Sequence, residues 1–482
     1  MAESISAGRR MAYALGSAGY QITDRIVVSI AIYFYLPPSG RGLESQVPSG
    51  VFLGFLTVYG LAMFVGRLFD SAADPIVGHL SDRSRSPLGR RRAFLVYGVL
   101  PMVGLPVLLF WPPGEPGSAG NGFWLAALLA AYFVAFTVYV APFLALIPEI
   151  ARSEEQRVRL ARLLALLSFP IGAGFGTAWT LGYAGAQAAG LSPVAAMRAV
   201  VGVASATALL LCLAPILAVD ERRLPPQQPS DLSLRESLGA TLANRPFRVY
   251  LVAQLAMLFG VNMVQPALPY VATVLLGRDE SYSAILGAAT LVGTFAALPL
   301  ATVAVRRLGA KRTMSWSLVL FGAAAMALGG LEAVAAGAPG DTANRALAFG
   351  VSAVIGVAVA GLLVVPHVLL SQLIDRDALH TGANRAAMYF GVQGFLTKWM
   401  YGVSLWVLTF LLSRFGNSIQ APDGVILVGP VAGVACLAAA ALFARYPERE
   451  ILAAVADANV GDPACSSGGI AYTADREEDP GS

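Results

Sequence analysis

Apolar runs of 20 or more residues recur from one end of this 482-residue chain to the other, separated by short clusters of proline, glycine and charge. A helix needs about 20 such residues to cross the hydrocarbon core of a bilayer. A helix is also one of only two structures that satisfy every backbone N–H and C=O there. The chain is 56% hydrophobic and 13% charged, about half the charged share of a soluble domain. It therefore reads as an all-α, multi-pass membrane protein. Its first apolar segment is too long for a removable signal peptide and lacks a small-residue cleavage site. The three cysteines, Cys212, Cys436 and Cys465, show neither CxxC nor metal-ligand spacing.

Twelve spans are expected, at about 11–36, 51–80, 93–112, 122–150, 158–187, 196–219, 247–276, 281–305, 313–335, 344–375, 385–413 and 424–445. Positive charge sets their orientation, because Lys and Arg collect on the cytoplasmic side. Arg83, Arg85 and Arg90–Arg92 follow the second span, Arg152, Arg157 and Arg159 the fourth, and Arg306, Arg307, Lys311 and Arg312 the eighth. Both termini are thus expected to be cytoplasmic, in a plasma (inner) membrane. The longest internal polar break, 220–246, divides an N-terminal half (1–219) from a C-terminal half (247–445). The polar tail 446–482 is expected to be disordered. "LGRRR" at 88–92 and "LGAKR" at 308–312 occupy equivalent places in the two halves. Such a six-plus-six repeat is the architecture of major facilitator transporters, two pseudo-symmetric bundles in one chain.

Charge within a span costs about 2.5–3.5 kcal/mol on insertion scales, so each such residue needs a reason. The second span carries three in "VGRLFDSAADPIVGHL": Arg67, Asp70 and Asp74, at spacings of three and four that put them on one helix face. Asp24 and Arg25 lie in the first span, Arg162 in the fifth, and Lys398, one of only two lysines, in the eleventh. Counted from the cytoplasmic ends at ~1.5 Å per residue, Asp70, Asp24, Lys398 and Thr137 fall at one level, roughly 15–20 Å deep. Two carboxylates so close repel unless a proton or a hard cation sits between them. A nearby lysine relieves the same repulsion and competes with that cation. A packed Arg67–Asp70 ion pair that only fixes the helix is the alternative reading. His79 and His367 suit packing or helix-end roles, and the basic run 83–92 suits topology and gating. The sequence shows no HExxH, nucleophile elbow or GxxxxGK[ST] loop. Hence no enzyme, no bound cofactor, no ATP-driven pumping and no nucleic-acid partner is expected.

The stretch "GRLFDSAADPIVGHLSDRSRSPLGRRRAF" resembles the second-helix and loop pattern of the glycoside–pentoside–hexuronide:cation symporters, the melibiose-permease family, at Arg67, Asp70, Asp74, Pro75, Gly78, Asp82 and Gly89. "APFLALIPEIA", "EEQRVRLARLL", "NRPF" and "YFGVQGFLTKWMYG" resemble further segments of that family, so the resemblance covers residues 10 to about 445. It implies a monomeric alternating-access symporter driven by Na+ or H+. Asp70 and Asp74 would then hold the cation with Thr137 in support, and Na+ would be the metal ion at these acids if the coupling is to sodium. Arg67 would organise that site, Lys398 would stand between it and the substrate, and Arg162 would face the substrate. Asp82, Arg83, Gly89, Arg90 and Arg91 would form the gating loop. The family's sugar-binding aspartates fall on Gln21 and Val140, and its stacking tryptophan on Leu144, with Asp24 one turn beyond Gln21. The coupling residues are therefore kept while the galactoside clamp is not. A sugar or glycoside is the expected substrate. A sodium-dependent lysophospholipid carrier and a non-transporting receptor or assembly factor on the same fold are the alternatives.

Overall fold

The computed structural model describes residues 7–40, 42–151, 154–219, 243–330, 342–381 and 386–453. Of the break expected at 220–246 and the disordered tail expected at 446–482, residues 220–242 and 454–482 lie outside the described residues, whereas 446–453 are ordered, held by the buried side chains of Tyr446 and Ile451. Among the described residues the long helices are α1 (Ala7–Arg25, a π-helical turn Ile26–Ile30, then Ala31–Tyr35), α2 (Val58–Arg83), α3 (Arg92–Leu108), α4 (Ala119–Ala145), α5 (Glu154–Pro170, a π-helical turn Ile171–Phe175, then Gly176–Ala188) and α6 (Pro193–Ala218). They continue as α7 (Arg245–Tyr270 with a π-helical turn Val271–Leu275), α8 (Tyr282–Leu308), α9 (Ala310–Gly329), α10 (Thr342–Thr381), α11 (Ala386–Phe415) and α12 (Asp423–Phe443). Seven of them, α4, α6, α7, α8, α10, α11 and α12, are each long and apolar enough to cross a membrane.

Packing repeats with an offset of six helices. In the first half α2 lies on α4, α1 on α6, and α3 on both α4 and α6. In the second α8 lies on α10, α7 on α12, and α9 on both α10 and α12. The halves meet through α2 against α11 and α5 against α8, which is the same pairing under that offset. In lipid there is little hydrophobic force between helices, so close approach through small residues does the packing. A Cβ on Gly19 of α1 would lie 2.5 Å from Cys212 Sγ of α6, and one on Gly260 of α7 would lie 2.6 Å from Cys436 Sγ of α12. The two cysteines thus take equivalent places, each buried against a partner helix's glycine.

Local chemistry fixes the helix ends. Thr57, Ser118, Ser192 and Asn244 cap α2, α4, α6 and α7 by accepting from backbone N–H groups. α2 begins at Val58, not near 51, because Phe52 and Leu56 close a tight turn with Leu53 at φ 51°. Beyond α12, the Glu448 carboxylate accepts from the N–H groups of Ala310 and Lys311 at 2.8 and 3.0 Å, and so caps α9.

One end of the interface between the halves is tightly sealed. Tyr33 donates to Glu280 at 2.6 Å, and Tyr270 donates to the carbonyls of Ile32 and Leu36. Thr57 meets Thr409 at 2.8 Å and Thr180 meets Ser283 at 3.2 Å. Trp179 and Tyr33 pack edge to face in the same layer, and both are buried. This end lies opposite the arginine-rich loops.

Candidate functional site

Midway along α2, Asp70 is fully buried, with three partners. Its Oδ1 accepts from Thr137 Oγ1 of α4 at 2.7 Å and from Lys398 Nζ of α11 at 2.8 Å, and its Oδ2 takes Arg67 Nη1 at 3.2 Å. One turn on, both oxygens of Asp74 meet the same Lys398 ammonium, at 2.8 and 2.7 Å, while Thr137 reaches Oδ1 at 3.3 Å. A single ammonium from the second half therefore bridges two carboxylates from the first. The spacing of four on α2 makes this possible, since it stacks Asp70 and Asp74 on one face.

The cluster extends toward α1. Arg67 Nη2 reaches Asp24 Oδ1 at 3.2 Å, and Asp24 Oδ2 receives Arg25 Nη2 at 2.7 Å. The Arg67 guanidinium also lies over the rings of Phe133 and Tyr401, 4.2 and 5.3 Å from their centroids. Arg25, Asp24, Arg67, Asp70, Lys398 and Asp74 thus form a row of alternating sign, three positive and three negative. Neutrality and mutual pairing are what let so many charges lie inside an apolar body. The row differs along its length in access. The Asp70 side chain is 0% exposed, against 23% for Lys398 and 38% for Asp74. Asp74 and Lys398 are the most exposed members of the row.

Arg25 also lines a cavity of ≈ 320 Å³ between the halves. There its Nη1 donates to Gln265 Oε1 at 3.1 Å, and Gln265 Nε2 donates in turn to the Gly172 carbonyl at 3.1 Å, tying α1, α7 and α5 together. Gln21, Asn262, Thr290 and Tyr401 supply further polar groups to this cavity, and apolar residues of α8 and α10 complete it. Among the described residues its lining includes no carboxylate. Two of its donors, Asn262 Nδ2 and Arg25 Nε, are buried without a hydrogen-bond partner. A bound molecule that presents acceptors there recovers the desolvation cost of these groups.

The residues picked out in the sequence divide accordingly. Asp24, Arg67, Asp70, Asp74, Thr137 and Lys398 come together, and Gln21 lines the cavity. Arg162 is exposed on α5 and Leu144 is exposed on α4, while Val140 is half-buried against the core; none of the three lines the cavity. In the basic loop, buried Gly89 has φ 107°, a conformation natural to glycine. Arg91 donates to the Ala145 carbonyl at the end of α4, and Arg92 Nε donates to the Ile216 carbonyl of α6 at 2.8 Å. Arg90 is half-buried and Arg83 exposed. The side chain of Asp82 lies outside the described residues.

Sequence reasoning passed over Asn262 and Gln265, which are neutral residues in an apolar helix. The internal repeat was the signal that could have found them. Asn262 follows Gly260 at the distance at which Gln21 follows Gly19, and Gln265 stands where Asp24 does by the same register.

Comparison with known proteins bears on what this arrangement serves. A family model described as "MFS/sugar transport protein" matches residues 12–447. The chain belongs to this family. It is a family of transporters of the glycoside–pentoside–hexuronide:cation symporter type, not of enzymes. Among curated relatives, the chain is 28% identical over 170 residues to the uncharacterized symporter sll1374 of Synechocystis sp., a match covering 33% of this chain and 29% of that protein. It is 24% identical over 301 residues to the inner membrane symporter YicJ of Escherichia coli, covering 62% of each. The matches therefore span less than two thirds of these two relatives. The nucleoside transporter NupG shares the fold, with a TM-score of 0.62 at 11% identity, covering 92% of this chain and 99% of that one. At that identity the likeness speaks for the fold alone.

Proposed function

We propose that this transporter is a cation-coupled symporter for a sugar or glycoside, working by alternating access. Asp70, Asp74 and Thr137 are its cation site. The observation that carries this reading is the Lys398 ammonium held between Asp70 and Asp74. Two adjacent carboxylates need a positive charge between them, and here the charge comes from the opposite half of the protein. A proton or Na+ arriving at Asp74 takes over part of that role and releases Lys398. The link between α2 and α11 then weakens in the cation-bound form and is restored when the cation leaves. Carboxylate and hydroxyl oxygens suit Na+, a hard cation; protonation of one acid serves H+ equally.

Substrate belongs in the cavity beside Arg25, Gln265 and Asn262. Its polar lining offers amide, hydroxyl and guanidinium donors that suit a ligand rich in hydroxyl and ring oxygens. The row Arg25–Asp24–Arg67 joins this cavity to the cation site. A ligand that draws on Arg25 loosens its hold on Asp24, and Arg67 then shares its charge differently between Asp24 and Asp70. A family description naming sugar transport favours this substrate class over the lysophospholipid alternative. The test is uptake in vesicles under an imposed Na+ or H+ gradient: accumulation of a sugar or glycoside above the outside concentration supports the reading. Equilibration that ignores both gradients would refute coupling.

A further inference from the structure

Three arginines on the outer surface have no role in the site above. Arg245 and Arg248 stand on the first turn of α7, and Arg445 follows the end of α12; all three are exposed. They surround a pocket floored by Val249, Val252 and Leu442. Their guanidinium groups make no hydrogen bond or ion pair with the described residues. Three other cations at this end are tied down instead. Arg91, Arg92 and Lys311 each donate to a backbone carbonyl, of Ala145, Ile216 and Tyr446, and so fasten loops to helix ends.

Position sharpens the contrast. α7 and α12 are both apolar enough to span a membrane. The three arginines stand where those two spans end, which in a bilayer brings them to its polar interface. The floor continues down the exposed side of α7, where Val252 is 51% exposed. A free phosphate has no use for that apolar floor, whereas a phospholipid supplies an anion for the arginines and an acyl chain for the valines. Basic pockets between membrane helices on this side are suited to anionic headgroups.

We infer that the α7–α12 pocket formed by Arg245, Arg248 and Arg445 is a binding site for an anionic glycerophospholipid. The site is separate from the transport cavity, and the inference does not depend on which substrate or ion is carried.

The experiment uses the purified full chain in detergent, titrated with phosphatidylglycerol or with phosphatidylcholine of the same acyl composition, with lipid adducts counted by native mass spectrometry. Phosphatidylglycerol is expected to be retained preferentially. Each of Arg245→Gln, Arg248→Gln and Arg445→Gln is expected to weaken that retention roughly fivefold, and the triple variant roughly a hundredfold. Arg306→Gln/Arg307→Gln, at another basic cluster, keeps it. The replaced side chains are exposed, and a monodisperse elution profile verifies that each variant is folded. Equal retention of the two lipids would overturn the site, as would wild-type retention in the triple variant. Displacement of phosphatidylglycerol by millimolar inorganic phosphate would also overturn it, in favour of a soluble anion.

Discussion

Asp70 and Asp74 share one lysine, but they do not have the same job. Asp70 is fully buried and balances both Arg67 and Lys398. Removing its charge leaves buried cations short of a partner, at a cost of about 3–5 kcal/mol for a broken buried pair. Asp70→Asn is therefore expected to lower the melting temperature and the yield as well as abolish coupling. Asp74 is more exposed, and Asp70 still neutralises its lysine. Asp74→Asn is expected to melt near the wild-type temperature and yet lose concentrative uptake; normal accumulation by this variant would remove Asp74 from the cation site. A second prediction concerns Arg25→Gln, which takes one of its two cationic partners from Asp24 and a donor from Gln265 at the cavity. Substrate KM should rise about tenfold or more, the loss of a charged hydrogen bond being worth roughly 1.5–3 kcal/mol. The cation response of the protein should persist, and an unchanged KM in uptake assays would exclude Arg25 from the cavity's function. Much of the cluster was legible beforehand. Charge inside a span is costly enough to need a reason, and counting residues from the helix ends set Asp24, Asp70, Thr137 and Lys398 at one level. Which groups pair was not legible. Arg67 could have served Asp70 alone, and only the 3.2 Å ion pair from its Nη2 to Asp24 Oδ1 shows that it also holds Asp24.

Among the helices, close crossings by glycine control how tightly the bundles assemble. On α10, a Cβ at Gly356 would lie 2.0 Å from the Thr290 carbonyl of α8, while Gly350 on the same helix faces open space. Thr290 and Thr294 donate across this seam to the carbonyls of Ser352 and Gly356, each at 3.0 Å. Gly356→Ala must push the two helices apart and strain both bonds, so a loss of about 1–3 kcal/mol is expected. Thermal melting checks it, with Gly350→Ala as a variant expected to melt like wild type; equal melting of the two would contradict the close crossing. Most helix ends were readable from hydropathy and capping residues such as Thr57 and Asn244. The π-helical turns at Ile26–Ile30, Ile171–Phe175 and Val271–Leu275 were not. Such turns come from how neighbouring helices pack, and no residue type marks them. They occur often at functional sites, and two of them follow closely on Arg25 and Gln265.

Across the whole molecule, the repeat seen faintly in "LGRRR" and "LGAKR" is plain in the packing, where every major helix contact recurs six helices later. What the sequence did not reveal is the state of the interface between halves. Its sealed end depends on contacts such as Tyr33 with Glu280 and Thr180 with Ser283, between segments far apart in the chain. If transport requires this end to part, a disulfide across it should stop the cycle. In a Cys465→Ser background, Thr180→Cys/Ser283→Cys places two thiols within bridging distance. Oxidation is expected to abolish uptake and reduction to restore it, whereas uptake by the fully cross-linked protein would show that this end need not open.

The central claim is that Asp74 and Asp70 bind a coupling cation in competition with Lys398. Its most direct test is thermal stability of the purified protein in NaCl against KCl at fixed ionic strength and two pH values, for wild type and Asp74→Asn. A cation that binds only the folded protein stabilises it by mass action. The wild type is expected to be stabilised by Na+ or by lower pH, and that response should disappear in Asp74→Asn. A wild type indifferent to both, or a variant that responds as the wild type does, would contradict the assignment.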